Sequence, residues 1–121
     1  MRYMLLIYSR EGDMSTEEEK TVAMTHRGVM NEAAQRGVFH GAEPLMPTST
    51  ATTVRRTEDG NVLVSDGPFA ETKEQLAGYY ILDCETLDEA IQWASKIPTS
   101  CCGREGSVEI RPIRPMNTAT G

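Results

Sequence analysis

Two residues in this sequence have side chains suited to moving a proton on another molecule. His26 titrates near neutral pH, so it can act as a general base or acid when a carboxylate orients it. Asp66, at the start of the DGPF turn (residues 66–69), is the candidate carboxylate. The alternatives are a helix histidine packed at the edge of the core or of a dimer interface, and a turn aspartate that bonds nearby backbone amides. The two residues predict proton transfer only if the fold brings them together.

Charged side chains on both sides of the DGPF turn are candidates for substrate binding. Arg55 precedes the turn on a predicted strand, and Glu71 and Lys73 follow it in a polar segment. Lys73 and Arg55 would pair with a small anionic organic molecule. The alternative is a surface ion pair with Glu71 or Glu74, which contributes little to stability. Because rigid scaffolds carry function on their loops, the polar segment predicts a binding site beside the turn.

A pair of tyrosines supplies the candidate wall of the pocket. Tyr79 and Tyr80 follow each other in the predicted strand that begins at residue 77, so they point to opposite faces of the sheet. One belongs to the core, and the other faces the uncovered side, where it can line a pocket. We assign Tyr80 to the substrate and expect the pocket between the sheet and the first helix.

The composition limits the partners of the chain. Its 121 residues have a formal net charge of −6, which argues against nonspecific nucleic-acid binding by clustered Lys and Arg. No apolar run approaches the ~20 residues of a membrane span, and the N-terminus is typical of a first strand rather than a signal peptide. Sparse cysteines (Cys84, Cys101 and Cys102) without a C-x-x-C spacing favour the cytoplasm. Cys101 and Cys102 form either a loop or a metal or redox site; we favour the loop and expect no metal or cofactor.

Capping and hydrophobic periodicity predict the elements that position these side chains. Capping boxes at residues 15–18 and 86–89 begin two helices, which end near Gly37 and Pro98. His26 lies on the inward stripe of the first helix. A turn at residues 58–61 joins a hairpin. Strands or extended segments are predicted at residues 2–8, 38–47, 51–56, 61–66, from 77, and 107–113.

Two burial patterns follow from the same periodicity. Residues 2–8 form a near-continuous apolar run, which predicts a first strand buried on both faces. Trp93 falls just outside the apolar stripe of the second helix and is expected to cover the edge of the sheet. That stripe comprises Leu87, Ala90, Ile91, Ala94 and Ile97.

The order of elements predicts the fold class. A β, α, short extended piece, β-hairpin, β, α, β sequence indicates an α+β protein: a ferredoxin-like antiparallel sheet with two helices on one face, plus a β-hairpin. We expect a single domain over residues 1–115 and a frayed tail at 116–121. Because helices on one side leave the other face of the sheet bare, we predict a homodimer whose two sheets face each other.

The motif DGPFAETKE at residues 66–74 resembles the DGPF branch of the YCII-related protein family. The likeness extends over most of the chain to Pro115, including residues 3–8, 52–55, 87–90, Trp93-Ala94, Ile97-Pro98 and 108–112. It implies a dimeric α/β-barrel of ferredoxin-like subunits from bacteria. Some relatives are fused to sigma factors. Others resemble small-molecule enzymes of the muconolactone-isomerase kind, including a dehydrochlorinase of aromatic degradation.

The resemblance also bears on the proton-transfer pair. Shorter YCII proteins have a proposed catalytic His-Asp pair, and His26 matches the histidine on the first helix. The aspartate would precede the proline of a Trp-Ala-x-x-Asp-Pro motif, where this sequence has Ile97. Asp66 is the substitute carboxylate that the DGPF turn offers.

Three functional hypotheses follow. The first is an enzyme without a cofactor that performs an isomerase- or lyase-type proton transfer on a small anionic molecule, with His26 and Asp66 as catalytic residues. The second is a noncatalytic ligand-binding or regulatory module linked to sigma-factor-dependent transcription. The third is a structural dimer without a ligand. The missing aspartate at position 97 favours the second and third, whereas the polar segment after the turn favours the first two.

Overall fold

The computed structural model describes residues 1–12, 14–99 and 106–116. The elements are β1 (Arg2–Ser9), α1 (Thr16–Gln35), β2 (Phe39–Pro44), a 3₁₀ turn (Thr48–Thr50), β3 (Thr52–Arg56), β4 (Val62–Asp66), β5 (Gln75–Asp83), α2 (Leu87–Ala94) and β6 (Gly106–Pro112). This confirms the predicted order of elements. Cys101, Cys102 and residues 117–121 of the predicted tail lie outside the described residues.

Side-chain caps fix the starts of both helices. The Ser15 hydroxyl accepts a hydrogen bond of 3.1 Å from the Glu18 amide, and the Thr86 hydroxyl accepts one of 3.1 Å from the Glu89 amide. Each satisfies a backbone donor that the first turn of a helix leaves unpaired. After α1 the chain reverses at Gly37, whose positive φ of 74° suits a residue without Cβ. The predicted caps and this stop are confirmed.

The main sheet has four antiparallel strands in the order β2-β5-β1-β6. With α1 between β1 and β2, and α2 between β5 and β6, this is a ferredoxin-like α+β arrangement. The ribbon β3-β4 is inserted between β2 and β5 and forms a separate two-stranded sheet. The last strand, β6, lies at an edge, as its Pro112 predicts.

The hydrophobic core lies between the sheet and the two helices. Side chains of β1 at alternate positions are buried there with apolar side chains of β5 and of both helices. The buried residues are Tyr3, Leu5, Ile7, Val29, Ala33, Tyr80, Leu82, Cys84, Ala90, Trp93 and Ile97. Cys84 is packed in this core, where it is 1% exposed. Burial raises the pKa of its thiol to about 11, so the thiol stays protonated and unreactive.

The predicted stripe of α2 is confirmed at Ala90, Ala94 and Ile97 but is wrong at Leu87 and Ile91, and Trp93 belongs to the core. Trp93 is 4% exposed, whereas Leu87 and Ile91 are 51% and 45% exposed. The helix therefore turns its largest side chain inward, which removes more apolar surface from water than either aliphatic side chain. It also ends at Ala94, before Pro98, because the amides of Lys96 and Ile97 bond to carbonyls three residues earlier and tighten the chain into turns.

In the part of the chain that the structure describes, no helix covers the second face of the sheet. We call this surface the open face; its apolar side chains are Met4, Leu6, Tyr8, Tyr79 and Ile81, all of intermediate burial. Cross-strand pairs Leu6–Tyr79 and Met4–Ile81 form its centre. Within one chain, β1 is therefore buried on one face only, contrary to the expectation from its continuous apolar run.

The ribbon β3-β4 carries apolar side chains that remain exposed. Its central cross-strand pair joins Val54 and Val64, which are 65% and 67% exposed. Gly60, with a φ of 87°, makes the predicted turn, and Asp59 accepts a hydrogen bond from the Asn61 amide there. A two-stranded ribbon is marginally stable by itself in water.

Gly78 of β5 provides a test of close packing in the sheet. A Cβ atom at this position would lie 2.8 Å from the Glu43 carbonyl oxygen and 3.2 Å from the Pro44 Cα on β2. Because backbone atoms cannot yield as a side chain does, we expect Gly78→Ala to lower the free energy of unfolding by about 1–3 kcal/mol in urea denaturation.

Gly41 on β2 is the matched control for that substitution. A Cβ atom there would meet nothing within 4 Å. We expect Gly41→Ala to leave the free energy of unfolding near that of the unsubstituted protein. Equal losses in the two variants would contradict the steric explanation.

Candidate functional site

A cavity of about 410 Å³ lies between α1 and the sheet. It opens where β1 ends and β5 begins, beside Pro98 and Thr99 after α2. Its lining is mostly apolar, and its volume is within the ~300–1,000 Å³ of typical small-molecule sites. The lining residues are Ile7, Ser9, Met14, Glu19, Val22, Ala23, His26, Met30, Ala42, Glu43, Pro44, Ala77, Gly78, Tyr79, Tyr80, Pro98 and Thr99.

One face of α1 forms the roof of this cavity. Glu19, Val22, His26 and Met30 follow each other at spacings of three or four residues, so they lie along one side of the helix. The sequence had placed His26 on this inward stripe, and the structure confirms its position over the sheet. The stripe also brings Glu19 to the cavity, seven residues before His26.

A short polar contact in the cavity joins His26 to Tyr80. The Nδ1 atom of the imidazole lies 2.7 Å from the tyrosine hydroxyl oxygen. Tyr80 projects from β5 on the helix-covered face, in register with Leu5, and is 2% exposed. Tyr79 projects to the opposite, open face. The tyrosine hydroxyl at the pocket therefore comes from the buried residue of the pair.

Burial shifts the pKa of each partner in the direction that favours its neutral form. Desolvation lowers the pKa of His26 below 6.5 and raises the pKa of Tyr80 to about 12. Near neutral pH the pair is therefore an uncharged imidazole and an intact phenol. A neutral imidazole has a free lone pair on one nitrogen, which is the requirement for a general base.

Two arrangements of protons satisfy the geometry of this pair. In one, the Tyr80 hydroxyl donates to Nδ1 of His26, and the imidazole proton is on Nε2. In the other, Nδ1–H donates to the Tyr80 oxygen, whose own proton faces the His26 backbone carbonyl at 3.4 Å. The second arrangement leaves Nε2 with its lone pair available. Tyr80 then orients the imidazole as a carboxylate does in a catalytic triad.

The structure does not join His26 to Asp66 within one chain. Asp66 is exposed at the end of β4, in the separate ribbon, and does not line the cavity. Within the described ranges, no hydrogen bond or ion pair connects the two residues. Ile97, at the position where the family pattern has aspartate, is buried in the core. Tyr80 is therefore the partner that the fold gives to His26.

The three charged candidates near the DGPF turn lie elsewhere on the surface. Arg55 is exposed on β3, with its guanidinium 3.5 Å from the Phe69 carbonyl oxygen. Lys73 is also exposed, and neither basic residue lines the cavity. Glu71 contributes to a second, more polar cavity of about 360 Å³ around the DGPF turn.

The second cavity is braced by hydrogen bonds between loops. The Glu11 carboxylate accepts bonds of 2.7 and 2.9 Å from the amide and hydroxyl of Thr48. The Gln75 side-chain oxygen accepts a bond of 2.8 Å from the Glu11 amide. These contacts hold the segment that follows β1 against the 3₁₀ turn and the start of β5. The polar side chains of Glu11, Thr48 and Gln75 in this lining are therefore used for bonds between loops. The cavity roofed by α1 is the better candidate site.

Sequence reasoning missed Glu19 and Glu43 as residues of the site. Glu19 belongs to an acidic first turn of α1, whose carboxylates interact favourably with the helix dipole, so its type alone indicates no site. The spacing of seven residues between Glu19 and His26 was the available signal, since it places both on one face of a helix. No sequence pattern indicated Glu43, because its position depends on the pairing of β2 with β5.

Two absences hold for the part of the chain that the structure describes. No group of three or more His, Cys, Asp or Glu side chains is placed to hold a metal ion. No helix there has both the length and the apolar character needed to cross a membrane.

The lowered pKa of His26 predicts how stability depends on pH. The unfolded chain binds this proton below about pH 6.5, and the folded chain binds it only at lower pH, so acidification favours the unfolded state in that interval. The His26 contribution is fully present above pH 6.5 and is lost as pH falls through the folded pKa. We expect urea midpoints to fall more steeply between pH 7.5 and 5 than in His26→Asn. Parallel pH profiles for both proteins would contradict the assignment.

Comparison with known proteins identifies the family of the chain. A family model described as "YCII-related domain" matches residues 1–117. A protein of Rhizobium meliloti (strain 1021) that is described as uncharacterised is 38% identical over 116 residues, which cover 93% of this chain and 92% of that protein.

Proposed function

We propose that this chain, which belongs to the YCII-related domain family, is an enzyme that transfers a proton on a small, largely apolar molecule. The reaction class is an isomerisation or an elimination, in which a base removes a proton from carbon. His26 is the base, and Tyr80 orients it. The observation that carries the proposal is the 2.7 Å contact between the two side chains at the wall of an apolar cavity.

The electrostatics of the site support His26 as a base. Because burial keeps its pKa below 6.5, the imidazole is unprotonated under ordinary cellular conditions. In the arrangement that exposes the Nε2 lone pair, the proton removed from the substrate forms an imidazolium ion. The Tyr80 oxygen accepts a hydrogen bond from the Nδ1–H of that ion and so fixes the plane of the ring.

The apolar lining of the cavity favours a largely uncharged substrate over the anionic one expected from the sequence. Arg55 and Lys73 suggested an anion, but the described lining contains no Lys or Arg. Apolar side chains dominate it, so the proposed substrate has a hydrocarbon body with one activated C–H bond. A carbonyl or similar group next to that bond would make the proton acidic enough for a histidine to remove.

A solvent-exchange assay tests the proposal without knowledge of the natural substrate. Small ketones, lactones and phenols are incubated with the protein in D₂O, and deuterium incorporation at carbon is followed by ¹H NMR. We expect at least one compound that contacts the cavity to exchange faster than in buffer. Compounds that bind in the cavity but exchange at the buffer rate would contradict the enzyme proposal.

A noncatalytic ligand-binding module is the second candidate function. It is supported by the partner of His26, which is a phenol with a pKa of about 12 rather than a carboxylate. A phenol orients an imidazole but stabilises its protonated form less than a carboxylate does. Binding without exchange would select this function.

We also propose the homodimer and the DGPF branch. The apolar open face supports pairing of two copies around a two-fold axis, because the same surface is then covered in both subunits. The DGPF motif at residues 66–69 supports the branch within the family.

A further inference from the structure

We propose that the hydroxyls of Ser9 and Thr99 form a second binding position in the cavity roofed by α1, where they hold an uncharged oxygen group of the ligand. Both residues line this cavity. The inference rests on the proposed function, because it divides that cavity between a reacting end at His26 and an oxygen-binding end. In a mostly apolar pocket, a few polar groups fix the orientation of the ligand. We call the two side chains the hydroxyl pair.

Strand register places the two hydroxyls side by side. Ser9 is the last residue of β1 and pairs with Gly106 of β6. Because alternate residues of a strand share a face, Ser9 projects to the helix-covered side together with Ile7. A Cβ atom at Gly106 would lie 2.6 Å from the Thr99 hydroxyl oxygen. That oxygen therefore fills the space opposite Ser9, where cross-strand neighbours on one face lie ~5 Å apart.

The hydroxyl pair is not used for bonds among the described residues. Within residues 1–12, 14–99 and 106–116, neither Ser9 nor Thr99 forms a side-chain hydrogen bond. No side-chain nitrogen or oxygen in these ranges is both buried and unbonded, so the two hydroxyl oxygens are accessible. The second cavity differs, since the Thr48 hydroxyl there bonds to Glu11 at 2.9 Å. The hydroxyl pair is therefore available to a ligand.

The charges around the cavity favour an uncharged oxygen over a carboxylate. Glu19 lines the same cavity, and its described lining contains no Lys or Arg. A carboxylate ligand would therefore meet a like charge without a counter-ion. A serine and a threonine hydroxyl can each donate a hydrogen bond to a neutral carbonyl oxygen. The ligand class is an apolar molecule with a ketone, ester or lactone group.

The hydroxyl pair lies away from the base. Tyr80, which bonds to His26, pairs across the strands with Leu5, four residues before Ser9 on β1. At ~3.4 Å per residue, the Cα atoms of Leu5 and Ser9 are roughly 14 Å apart. The oxygen that the pair holds is therefore not the group that activates the C–H bond. The two hydroxyls position the substrate by setting which of its ends reaches His26.

Three ligands of similar shape test the hydroxyl pair. Benzylacetone has a ketone, butylbenzene has a methylene group in its place, and hydrocinnamate has a carboxylate there. Binding to the full chain is measured by ¹H–¹⁵N NMR at pH 7.5. We expect Ser9→Ala and Thr99→Val each to weaken benzylacetone about three- to tenfold, the usual effect of losing one hydrogen bond. Butylbenzene should bind all three proteins alike, and hydrocinnamate should bind the unsubstituted protein more weakly than benzylacetone.

Ser107→Ala is the matched control for the two substitutions. Ser107 follows Gly106 on β6 and pairs with Tyr8, so its side chain is on the open face and does not line the cavity. This variant should bind benzylacetone and butylbenzene as the unsubstituted protein does. Thr99→Ser keeps a hydroxyl at the same position and should keep most of the affinity for benzylacetone that Thr99→Val loses.

The outcomes distinguish the inference from the proposed function. Full affinity for benzylacetone in either Ser9→Ala or Thr99→Val, or an equal loss for butylbenzene, overturns the hydroxyl pair and leaves proton transfer standing. Hydrocinnamate that binds as tightly as benzylacetone overturns the preference for an uncharged group. The expected affinities without any deuterium exchange confirm the pair and assign it to a noncatalytic binding module. If benzylacetone shifts no lining resonance at millimolar concentration, both proposals fail.

Discussion

His26→Asn is expected to slow the proposed proton transfer by about 10²- to 10⁴-fold, the usual contribution of a positioned general base. Asparagine is shorter than histidine and keeps a polar group near the Tyr80 hydroxyl, but it provides no nitrogen lone pair of suitable basicity. The loss should appear in kcat, because the substituted group acts on the proton in transit rather than on the bound molecule. Deuterium incorporation measured by NMR with saturating substrate gives this rate directly.

The second histidine of the chain is the matched control for this prediction. His40 lies on β2 outside the cavity, with its Nε2 3.9 Å from an Asp83 carboxylate oxygen. We expect His40→Asn to exchange deuterium at the unsubstituted rate. A full rate in His26→Asn would exclude His26 as the base, whatever the rate of the control.

Tyr80→Phe separates orientation from basicity. Phenylalanine fills the same buried space but cannot bond to Nδ1 of His26. We expect a smaller loss of rate than in His26→Asn. The pH profile of kcat/KM should also shift, because the titration of the imidazole changes when its hydrogen-bond partner is removed. A purely structural tyrosine would change stability without moving that profile.

Leu6→Glu is expected to convert the proposed dimer into a monomer at micromolar concentration. Leu6 lies at the centre of the open face, paired with Tyr79 across the strands β1 and β5. In a dimer with facing sheets, two-fold symmetry would bury two carboxylates close together, and each buried unpaired charge costs several kcal/mol. Sedimentation velocity of the variant and the unsubstituted protein measures the change in mass.

An exposed leucine on the opposite side supplies the control for Leu6→Glu. Leu87 is 51% exposed in the first turn of α2, where an acidic residue is compatible with the helix dipole. We expect Leu87→Glu to keep the mass of the unsubstituted protein. A monomeric unsubstituted protein at tens of micromolar would contradict the dimer itself.

Local sequence signals predicted most of the elements. The capping residues Ser15 and Thr86, the turn glycines Gly37 and Gly60, and the alternation in β6 all appear in the structure as expected. Such signals succeed because each acts within a few residues of chain, where backbone geometry and hydrogen-bond partners are set by the neighbours. The orientation of α2 was not predicted, because Leu87, Ile91 and Trp93 are all apolar and only packing decides which of them faces inward.

The sequence by itself determined the fold class, the inward position of His26 and the polar character of the segment after the DGPF turn. Only the tertiary structure decided the partner of His26, since Tyr80 lies 54 residues along the chain and meets it through the packing of α1 on β5. It likewise brought Glu19 and Glu43 to one cavity and left Asp66 outside it. The physical reason is that local propensity fixes which way a side chain points from its own element. The distance between two elements depends on the register of the strands and on the packing of the core.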